Sequence, residues 1–491
     1  FPVKPNTAFG LTELFEIPGH HGMALSDGAA GDFSPLEISI RLAENRQMLD
    51  EYNPALPIGL VGDNSPEWVL ADLAMLYDGR CEVPIPAFFS SEQITHLVAA
   101  TGMENVFYKG CILPIRQVFP YLPAKASGTP PVLLPHATQK ITFTSGTTGN
   151  PKGVCLTVEQ QLATVNGLAA VLGPLEIKRH LSLLPLAVLL ENIAGIYVPL
   201  MLGAQCFVPP LAEIGLSGSS HFDAERCLDA IARYQAESVI LLPQMLQALA
   251  WHAKPADPRL ASLKFVAVGG GVTPLAVLER AEKVGIPVFE GYGLSECASV
   301  VSLNTPWAKR LGSVGKPLPG IAARLIGDGE IEVSGRGYAG MLGETALPAQ
   351  AWIATGDLGE IDGDGFLKIT GRKKNVLITS FGRNVSPEWP EGLLMESGLL
   401  AQVVVMGDGE PQLSAVMVPI ASSVDQEQLA ALVAEVNLRL PDYAQIANWT
   451  ISNEGFTRVN GLATENGRPR RAAIAGRFSV HAPIEQTTQE S

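Results

Sequence analysis

The stretch Thr142-Phe-Thr-Ser-Gly-Thr-Thr-Gly-Asn-Pro-Lys-Gly-Val154 combines hydroxyl side chains and glycines with a single lysine. Glycine lets the backbone approach an anion closely, hydroxyl and backbone N–H groups donate hydrogen bonds to its oxygens, and the Lys152 ammonium adds positive charge. The order differs from a Walker A loop, because Gly153 rather than a serine or threonine follows Lys152. The stretch predicts either a phosphate-binding loop or, equally well on its composition alone, a surface turn.

The composition indicates a globular chain with more than one domain. Its 491 residues are enough for roughly two to four domains or subdomains. A hydrophobic share of 47% and a charged share of 17% argue against disorder. The formal net charge of -15 argues against a nucleic-acid partner, since binding to phosphate backbones needs clustered Lys and Arg. An anionic ligand would therefore need a local cationic site.

The cysteines and the apolar segments bear on the compartment. The six cysteines are Cys81, Cys111, Cys155, Cys206, Cys227 and Cys297. They form no CxxC pair, so we expect buried free thiols in a reducing compartment, the cytoplasm. No signal peptide is visible in this sequence, which does not begin with Met. Prolines and Gln205 interrupt the apolar segment 193–212, so we predict a buried helix and a strand there and no transmembrane segment.

Strand and helix signals alternate through the first part of the chain. Strands are predicted at 58–62, 140–144, 181–186, 237–242, 263–268 and 286–289, with a strand edge at Val83-Pro-Ile-Pro86. Ser65 followed by Pro66 predicts a helix start. The alternation predicts a layered α/β domain. The glycine-hydroxyl stretch then follows the carboxyl end of a strand, where open α/β sheets bind ligands.

Two further segments carry candidate binding groups. Three consecutive glycines, Gly269 to Gly271, either leave room for a flat or long ligand or form a tight strand-to-helix turn. In Glu290-Gly-Tyr-Gly-Leu-Ser-Glu296, at a predicted strand end, Tyr292 supplies a ring and Glu296 a carboxylate. A carboxylate beside bound phosphates suits Mg²⁺, although a single Glu in a glycine-rich turn is more often solvated.

The last third of the sequence is predicted to contain a β-rich region and then a small domain. Asp357 is predicted to lie just before a strand, where its carboxylate either accepts hydrogen bonds from a sugar diol or caps the local backbone. The segment 371–387 is basic for so acidic a chain, and we place a domain boundary there. Beyond it, strands at 403–406 and 415–418 and a helix at 425–438 are predicted.

Taken in order, four segments resemble the motifs of the adenylate-forming superfamily, which includes acyl-CoA synthetases, peptide-synthetase adenylation domains and luciferases. They are Thr144–Gly153, Gly291–Glu296, Thr355-Gly-Asp357 and 371–387. The resemblance extends from Asn64 to Arg471 and is greatest to the long-chain acyl-CoA synthetase branch. It implies an α/β fold with a large N-terminal domain (residues 1–373) of layered α/β subdomains plus a β-rich subdomain. A small mobile C-terminal α+β domain (374–491) would turn about a hinge at Lys374.

The resemblance implies a two-step reaction. A carboxylate, most typically that of a fatty acid, attacks the α-phosphorus of ATP to give an acyl-adenylate and pyrophosphate, and the thiol of coenzyme A then displaces AMP. One alternative acceptor is the phosphopantetheine of an acyl carrier protein. A second alternative is a nucleotide-binding protein with weakened catalysis.

The resemblance also implies roles for individual residues. The predicted holders of the β- and γ-phosphates are Thr144, Ser145, Gly146, Thr147, Thr148, Gly149 and Lys152. Tyr292, beside Gly293, would stack on adenine, Ser295 would contact the α-phosphate and Glu296 would bind Mg²⁺. Asp357 and Arg372 would hold the ribose hydroxyls. The predicted borders of the acyl and adenine pockets are Gly269, Gly270, Gly271, Ala187, Val188 and Leu294.

Two positions depart from the family pattern. Arg468 stands where the family has a lysine that reaches the substrate carboxylate and the α-phosphate, and a planar guanidinium is not equivalent to a point charge. We therefore expect the first step to be slowed but not abolished. Val188 stands where many relatives have His or an aromatic residue, which predicts either a drier acyl pocket or ordinary variation in a lining residue.

Overall fold

The computed structural model describes residues 25–28, 32–123, 133–144, 151–217, 221–327, 329–344, 348, 351–380, 384–464 and 467–478. In chain order, the strands are β1 (Leu25–Ser26), β2 (Asp32–Phe33), β3 (Ile58–Val61), β4 (Glu82–Ile85), β5 (Asn105–Tyr108), β6 (Cys111–Pro114), β7 (Lys140–Thr144), β8 (Lys152–Leu156), β9 (Arg179–Leu181), β10 (Gln205–Phe207), β11 (Leu216–Ser217), β12 (His221–Phe222), β13 (Ser238–Leu241), β14 (Phe265–Val268), β15 (Val288–Leu294), β16 (Ser299–Leu303), β17 (Lys316–Pro317), β18 (Ala322–Ile326), β19 (Glu330–Ser334), β20 (Gly340–Met341), β21 (Ile353–Ile361), β22 (Leu367–Arg372), β23 (Leu377–Ile378), β24 (Asn384–Val385), β25 (Leu400–Met406), β26 (Leu413–Pro419) and β27 (Ile446–Ile451).

The helices connect these strands and cover their faces. The α-helices are α1 (Pro35–Leu49), α2 (Pro66–Tyr77), α3 (Ser91–Thr101), α4 (Ile115–Val118), α5 (Val158–Leu172), α6 (Val198–Met201), α7 (Ala224–Tyr234), α8 (Pro243–His252), α9 (Leu275–Val284), α10 (Glu388–Met395), α11 (Gln426–Arg439) and α12 (Arg471–Arg477). A π-helical segment, Glu191–Tyr197, runs directly into α6. As predicted, Ser65 caps α2: its side chain accepts a hydrogen bond from the Trp68 N–H, and Pro66 occupies the first turn.

Two large sheets form the first part of the molecule. A seven-stranded sheet has the order β20-β8-β7-β4-β3-β5-β6, and a nine-stranded sheet has the order β17-β16-β15-β14-β13-β9-β10-β1-β2. One hydrophobic core contains side chains of both sheets, including Leu60 and Leu156 from the first and Phe265 and Leu303 from the second. Burial of apolar side chains between sheets and helices is the main stabilising term. The predicted layered α/β architecture is confirmed.

The later part of the chain forms smaller sheets. A four-stranded antiparallel sheet has the order β18-β19-β21-β22. The C-terminal region contains the three-stranded sheet β25-β26-β27, in which one pair is antiparallel and the other parallel. Its apolar face packs against α10 and α11 through residues such as Leu394, Val405 and Leu429. These elements agree with the predicted β-rich region followed by a small α+β unit.

Three strand predictions were wrong in detail. A strand was predicted at 181–186, but the observed strand, β9, covers Arg179–Leu181 and ends where the prediction begins. β15 extends to Leu294, so Tyr292 lies within a paired strand rather than in a turn beyond it. Asp357 lies inside β21, opposite Arg372, rather than before a strand. In both of the last two cases, glycines lower the local β-propensity of the sequence, so the strand was not predicted. Pairing with neighbouring strands stabilises the strand all the same.

The predicted strand edge at residues 83–86 was also wrong, because β4 lies in the interior of the seven-stranded sheet, between β3 and β7. Pro84 cannot donate a ladder hydrogen bond, which normally confines proline to edges. Here the ladder to β7 contains only the pair Glu82 and Lys140, whereas β4 pairs with β3 along its full length. The strand therefore accommodates Pro84 because its pairing with β7 stops at Glu82, before the proline is reached.

All six cysteines are free thiols, and five of them are buried, whereas Cys111 is exposed, contrary to expectation. Within the described ranges, no helix has both the length and the apolar character needed to span a bilayer.

A fully buried cluster of polar side chains links the seven-stranded sheet to α2 and the π-helical segment. The Lys140 ammonium lies 2.9 Å from Asp72 and 2.8 Å from Glu82, and all three side chains are inaccessible to solvent. Tyr197 donates to Asp72 at 2.7 Å, and Lys140 also donates to Tyr197 at 2.9 Å. Burial and the neighbouring Asp72 charge raise the pKa of Glu82 well above its ordinary value, which favours its protonated form.

We expect Lys140→Met to lower the free energy of unfolding by about 3–5 kcal/mol, because it leaves the buried Asp72 carboxylate without its cation. Urea unfolding measures the change. Lys264→Met is the matched control, since Lys264 is an exposed lysine paired with Glu237, and it should cost no more than about 1 kcal/mol. Equal effects of the two substitutions would contradict the role assigned to the cluster.

Candidate active site

A cavity of about 900 Å³, called the main cavity below, lies at the carboxyl ends of strands from both large sheets, where the C-terminal region also contacts them. The predicted site residues that line it are Thr144, Lys152, Ala187, Val188, Gly269, Gly270, Tyr292, Gly293, Leu294, Ser295, Glu296, Arg372, Lys374 and Arg468. An adjoining cleft shares many of these residues and adds Gly271 and Asp357. Residues from widely separated segments of the sequence are thus brought together.

The glycine-hydroxyl stretch connects β7 and β8, which form an antiparallel hairpin. Thr144 pairs with Lys152 across this hairpin, so the hydroxyl and the ammonium lie at the two ends of the connecting loop. The predicted phosphate-binding residues inside the loop are Ser145, Gly146, Thr147, Thr148 and Gly149, and they lie outside the described residues. Lys152 is exposed and lines the main cavity, to which it contributes a cation.

Asp357 is the centre of a hydrogen-bonded group that spans two sheets. Its carboxylate accepts a hydrogen bond from the Tyr292 hydroxyl at 2.6 Å and pairs with the Arg372 guanidinium at 2.6 Å. Thr355 supports the same segment, because its hydroxyl donates to the Ile331 carbonyl and accepts from the Asp357 N–H. Tyr292 therefore has its ring fixed by a hydrogen bond at its far end.

Burial and neighbouring charges act in opposite directions on this group. Burial raises the pKa of Asp357, while Arg372, Tyr292 and Arg468 each favour its ionised form. The pKa of Tyr292 is raised, first by burial and then by the Asp357 charge. Tyr292 is therefore a neutral hydrogen-bond donor to the Asp357 carboxylate.

The backbone requires glycine at two positions in the site, once for close packing and once for its conformation. Gly293 occupies an irregularity in the β15–β16 pairing, and a Cβ atom there would lie 1.6 Å from the Ser299 carbonyl oxygen. Gly270 has a φ of +81°, a conformation that L side chains rarely adopt. The backbone beside Tyr292 and at the glycine turn is consequently open to the cavity.

Arg468 reaches the glycine turn from the C-terminal region. Its Nη2 donates a hydrogen bond of 3.0 Å to the Gly270 carbonyl. The loop that carries it is closed by Thr464, whose N–H donates to the Arg468 carbonyl and whose hydroxyl accepts from the Arg468 N–H. In the described part of the chain, no carboxylate lies within ion-pair distance of its guanidinium.

The basic segment after β22 distributes its charges among different partners. Arg372 pairs with Asp357, Lys373 pairs with Glu330 at 2.8 Å, and Lys374 faces the main cavity. The hinge prediction at Lys374 concerns motion and stays a prediction. The segment nevertheless supplies two cations to the site.

Glu296 lies in a short 3₁₀ turn, Ser295–Cys297, directly after β15. Its carboxylate faces the main cavity, and none of the described residues donates a hydrogen bond to it. Among the described residues, no group of three or more His, Cys, Asp or Glu side chains could hold a metal by itself. Mg²⁺ commonly takes only one or two carboxylates and completes its ligands with water and phosphate, so Glu296 fits this ion.

Sequence reasoning missed several residues that line the main cavity. Gln402 and Phe456 reach it from the C-terminal region, where Gln402 Nε2 donates to the Phe456 carbonyl at 3.1 Å. Two polar residues of the nine-stranded sheet, His180 and Ser238, line it as well. They belong to strands that are distant in the sequence, and nothing in the local sequence of either indicates that the two are neighbours.

Two family models match the chain. The model described as AMP-binding enzyme matches residues 48–344, and the model described as AMP-binding enzyme C-terminal domain matches residues 374–485. The first match alone covers more than half of the chain. This match, together with curated relatives that are named CoA ligases, confirms the resemblance to adenylate-forming enzymes and the prediction that the chain is a ligase.

Curated relatives include CoA ligases for different acids. A long-chain-fatty-acid–CoA ligase of Mycobacterium bovis is 26% identical over 514 aligned residues, covering 84% of this chain and 85% of that protein. A 2-succinylbenzoate–CoA ligase of Bacillus velezensis is 30% identical over 344 residues, covering 66% of each.

Solved structures share the fold. An anthranilate CoA ligase in complex with anthranoyl-AMP superposes with a TM-score of 0.78 at 18% identity, covering 96% of this chain and 97% of that one. The O-succinylbenzoate coenzyme A synthetase of Bacillus subtilis, in complex with AMP, gives a TM-score of 0.74 at 22% identity, with 94% and 97% covered.

Glu290, two residues before Tyr292, makes the stability of the folded protein depend on pH. Its carboxylate accepts a hydrogen bond from the Gly312 N–H at 2.9 Å. Burial raises the pKa of Glu290 from 4.5 to about 8, against the opposing effects of that hydrogen bond and of Lys309. Between these two values the folded state holds a proton that the unfolded chain has released, so this group's contribution to stability falls as the pH rises.

We therefore expect Glu290→Gln to become progressively more stable than the unmodified protein between about pH 5 and about pH 8, by at most about 1.4 kcal/mol per pH unit. Urea unfolding at several pH values measures this difference. Glu279→Gln replaces an exposed carboxylate on α9 and is the control. A difference for Glu290→Gln that does not change with pH would contradict the assignment.

Proposed function

The chain belongs to the AMP-binding enzyme family, and from this premise we propose that it activates a carboxylic acid with ATP and passes the acyl group to the thiol of coenzyme A. The observation that carries the proposal is the convergence of Lys152, Glu296, Asp357 with Arg372, and Arg468 on one connected region. These groups match the needs of an adenylation reaction: cations for phosphates, a carboxylate for a metal, and a carboxylate for a sugar diol.

In the proposed first step, the nucleotide is held at both ends. The Tyr292 ring, fixed by Asp357, would stack on the adenine, and the Asp357–Arg372 pair would hold the ribose hydroxyls. Lys152 and the loop that follows Thr144 would hold the β- and γ-phosphates, with Ser295 beside the α-phosphate. Bound at Glu296, Mg²⁺ would neutralise phosphate charge. Adenylation depends chiefly on such positioning and charge stabilisation.

We propose that Arg468 acts where negative charge accumulates, between the substrate carboxylate and the α-phosphate. Support comes from its position at the glycine turn, from its cavity-facing guanidinium and from the absence of an ion-pair partner among the described residues. Among the described residues, the Gly270 carbonyl accepts from one of its five N–H groups, and the other four can donate to an anion.

The second step requires a thiol to reach the carbonyl carbon. We propose that residues 374–491 form a separate domain that turns about Lys374 to admit the thiol, as in the family resemblance. Two observations support this division: the separate hydrophobic core of the C-terminal region and the start of the C-terminal family match at residue 374.

We propose that the acid is fatty or otherwise largely apolar. The support is the apolar wall of the main cavity, which includes Leu172, Val198, Leu202 and Phe265, and the long-chain-fatty-acid–CoA ligases among the relatives. The net charge and the free cysteines support a cytoplasmic location without a nucleic-acid partner. An acyl carrier protein is the alternative acceptor, because its phosphopantetheine presents the same thiol arm as coenzyme A.

A panel of carboxylic acids tests the function directly. With ATP and Mg²⁺, we expect pyrophosphate release that depends on the acid, an acyl-adenylate identified by its mass, and a thioester when coenzyme A is added. If a thioester forms with a carrier protein but not with coenzyme A, the acceptor in the proposal is wrong, and the proposed adenylation still stands. ATP binding without pyrophosphate release for any acid would contradict the proposal and favour a binding protein with weakened catalysis.

For Arg468, we expect Arg468→Ala to lower the rate of acid-dependent pyrophosphate release by about 100-fold, because it removes a preorganised donor to developing charge. Arg468→Lys should retain most of the rate or exceed it, since a point charge is then restored. Single-turnover measurements of acyl-adenylate formation separate this step from thioester formation.

Arg477→Ala is the control, because Arg477 lies on α12 in an exposed ion pair with Glu454, and its rate should match that of the unmodified protein. If neither Arg468→Lys nor Arg468→Ala alters the first-step rate, Arg468 has no part in adenylation.

A further inference from the structure

The apolar part of the main cavity contains one polar patch, formed by His180 and Ser238. Both side chains line the cavity, and both are almost completely buried, with 2% and 6% of their surfaces exposed. They are direct neighbours in the parallel register of β9 and β13. The surrounding wall is aliphatic and aromatic, with Ile177 and Phe265 close along the chain or on the adjacent strand. Buried polar groups in such a wall cost free energy unless they are hydrogen-bonded.

Glu191 stands behind this patch and completes a chain of hydrogen bonds. His180 Nε2 lies 3.3 Å from a Glu191 carboxylate oxygen, and His180 Nδ1 lies 2.9 Å from the Ser238 hydroxyl. Glu191 is fully buried, and its second carboxylate oxygen has no hydrogen-bond partner among the described residues.

Gly195 makes room for this arrangement. A Cβ atom at Gly195 would lie 2.3 Å from the Glu191 oxygen and 2.9 Å from His180 Nε2. Any larger residue would displace the pair. The cluster is therefore built into the packing of the π-helical segment against the sheet.

The hydrogen-bonding capacity of the patch is not exhausted by its own members. His180 uses both ring nitrogens, one towards Glu191 and one towards Ser238. If Ser238 donates to His180, its lone pairs stay open to a donor, and if it accepts from His180, its O–H stays open to an acceptor. A hydroxyl group on a ligand satisfies either arrangement, because a hydroxyl both donates and accepts.

The patch lies far from the reacting end of the cavity. The Gly269 N–H donates to the Leu241 carbonyl, so the glycine turn is level with the end of β13. Ser238 begins that strand, three residues earlier. At a rise of about 3.3 Å per residue, Ser238 lies roughly 10 Å deeper than the glycine turn. A group that contacts Ser238 is thus carried on the distal part of the acyl chain.

We propose that the acid substrate carries a hydroxyl group at its distal end and that Ser238, oriented by His180 and Glu191, binds this hydroxyl. The inference rests on the proposed function and specifies its substrate class: a hydroxylated carboxylic acid with an otherwise apolar chain. Ser238 contacts the substrate, and His180 and Glu191 are positioning residues.

Matched pairs of acids test the inference. Each pair has the same carbon number and differs only by a hydroxyl at the distal carbon, and the readout is kcat/KM for pyrophosphate release by the full chain. We expect the hydroxylated acid of the best-fitting length to be preferred at least about tenfold, because the unmodified acid offers no hydrogen bond to the open side of the Ser238 hydroxyl. Ser238→Ala should reduce that preference to within about twofold, mainly by lowering kcat/KM for the hydroxylated acid.

Ser182→Ala is the matched control, since Ser182 is a buried serine directly after β9 that does not line the cavity, and it should leave the preference unchanged. Activity without preference in any pair overturns the inference and leaves the proposed function intact. If the preference persists in Ser238→Ala, the inference that Ser238 binds the hydroxyl is wrong. The absence of pyrophosphate release with every acid overturns the proposed function and, with it, this inference. The comparison in the unmodified protein needs no variant to fold.

Discussion

The carboxylate of Asp357 is the group on which the arrangement of the site depends. It belongs to the four-stranded sheet, it accepts a hydrogen bond from Tyr292 of the nine-stranded sheet, and it pairs with Arg372, two residues before Lys374. Hydrogen bonds to an ionised partner are about twice as strong as those between neutral groups. One buried carboxylate therefore positions both the Tyr292 ring and the Arg372 guanidinium, and it links the nine-stranded sheet to the four-stranded sheet.

The C-terminal region contacts the rest of the molecule in a different way. Arg468 donates to the Gly270 carbonyl and Arg458 donates to the Phe88 carbonyl. Each hydrogen bond of this kind contributes only about 0.5–1.5 kcal/mol net. A main-chain carbonyl is also readily rehydrated when the donor leaves. Contacts of this strength are compatible with the proposed turn of the C-terminal region about Lys374, because little free energy is needed to break them.

The sequence predicted local features well where a few adjacent residues determine them. Ser65 and Pro66 specify a helix start by themselves, and apolar runs such as Ile58 to Val61 specify buried strands. Asp357 and Pro84 were misplaced because their conformations depend on pairing with distant strands, which overrides local propensity. The His180–Ser238 contact could not be predicted, since it follows from the register of two strands separated by almost sixty residues.

The charges and hydrogen bonds around the cavity show how the arginine at position 468 is held. The charge of Arg372 is largely offset by Asp357 at 2.6 Å, so Arg468, Lys152 and Lys374 are left as cations without such a close partner among the described residues. In a chain of net charge -15, these cations create a local positive field that suits an anionic ligand such as the proposed nucleotide. A lysine at position 468 would place its charge by means of a flexible stem. Arg468 instead uses one N–H group to bind the Gly270 carbonyl, which fixes the plane of the guanidinium and aims its remaining donors. The hydrogen bond to the Gly270 carbonyl therefore limits the reach of the Arg468 side chain and at the same time preorganises its guanidinium. Compared with a lysine, Arg468 has less freedom of position and a better defined orientation.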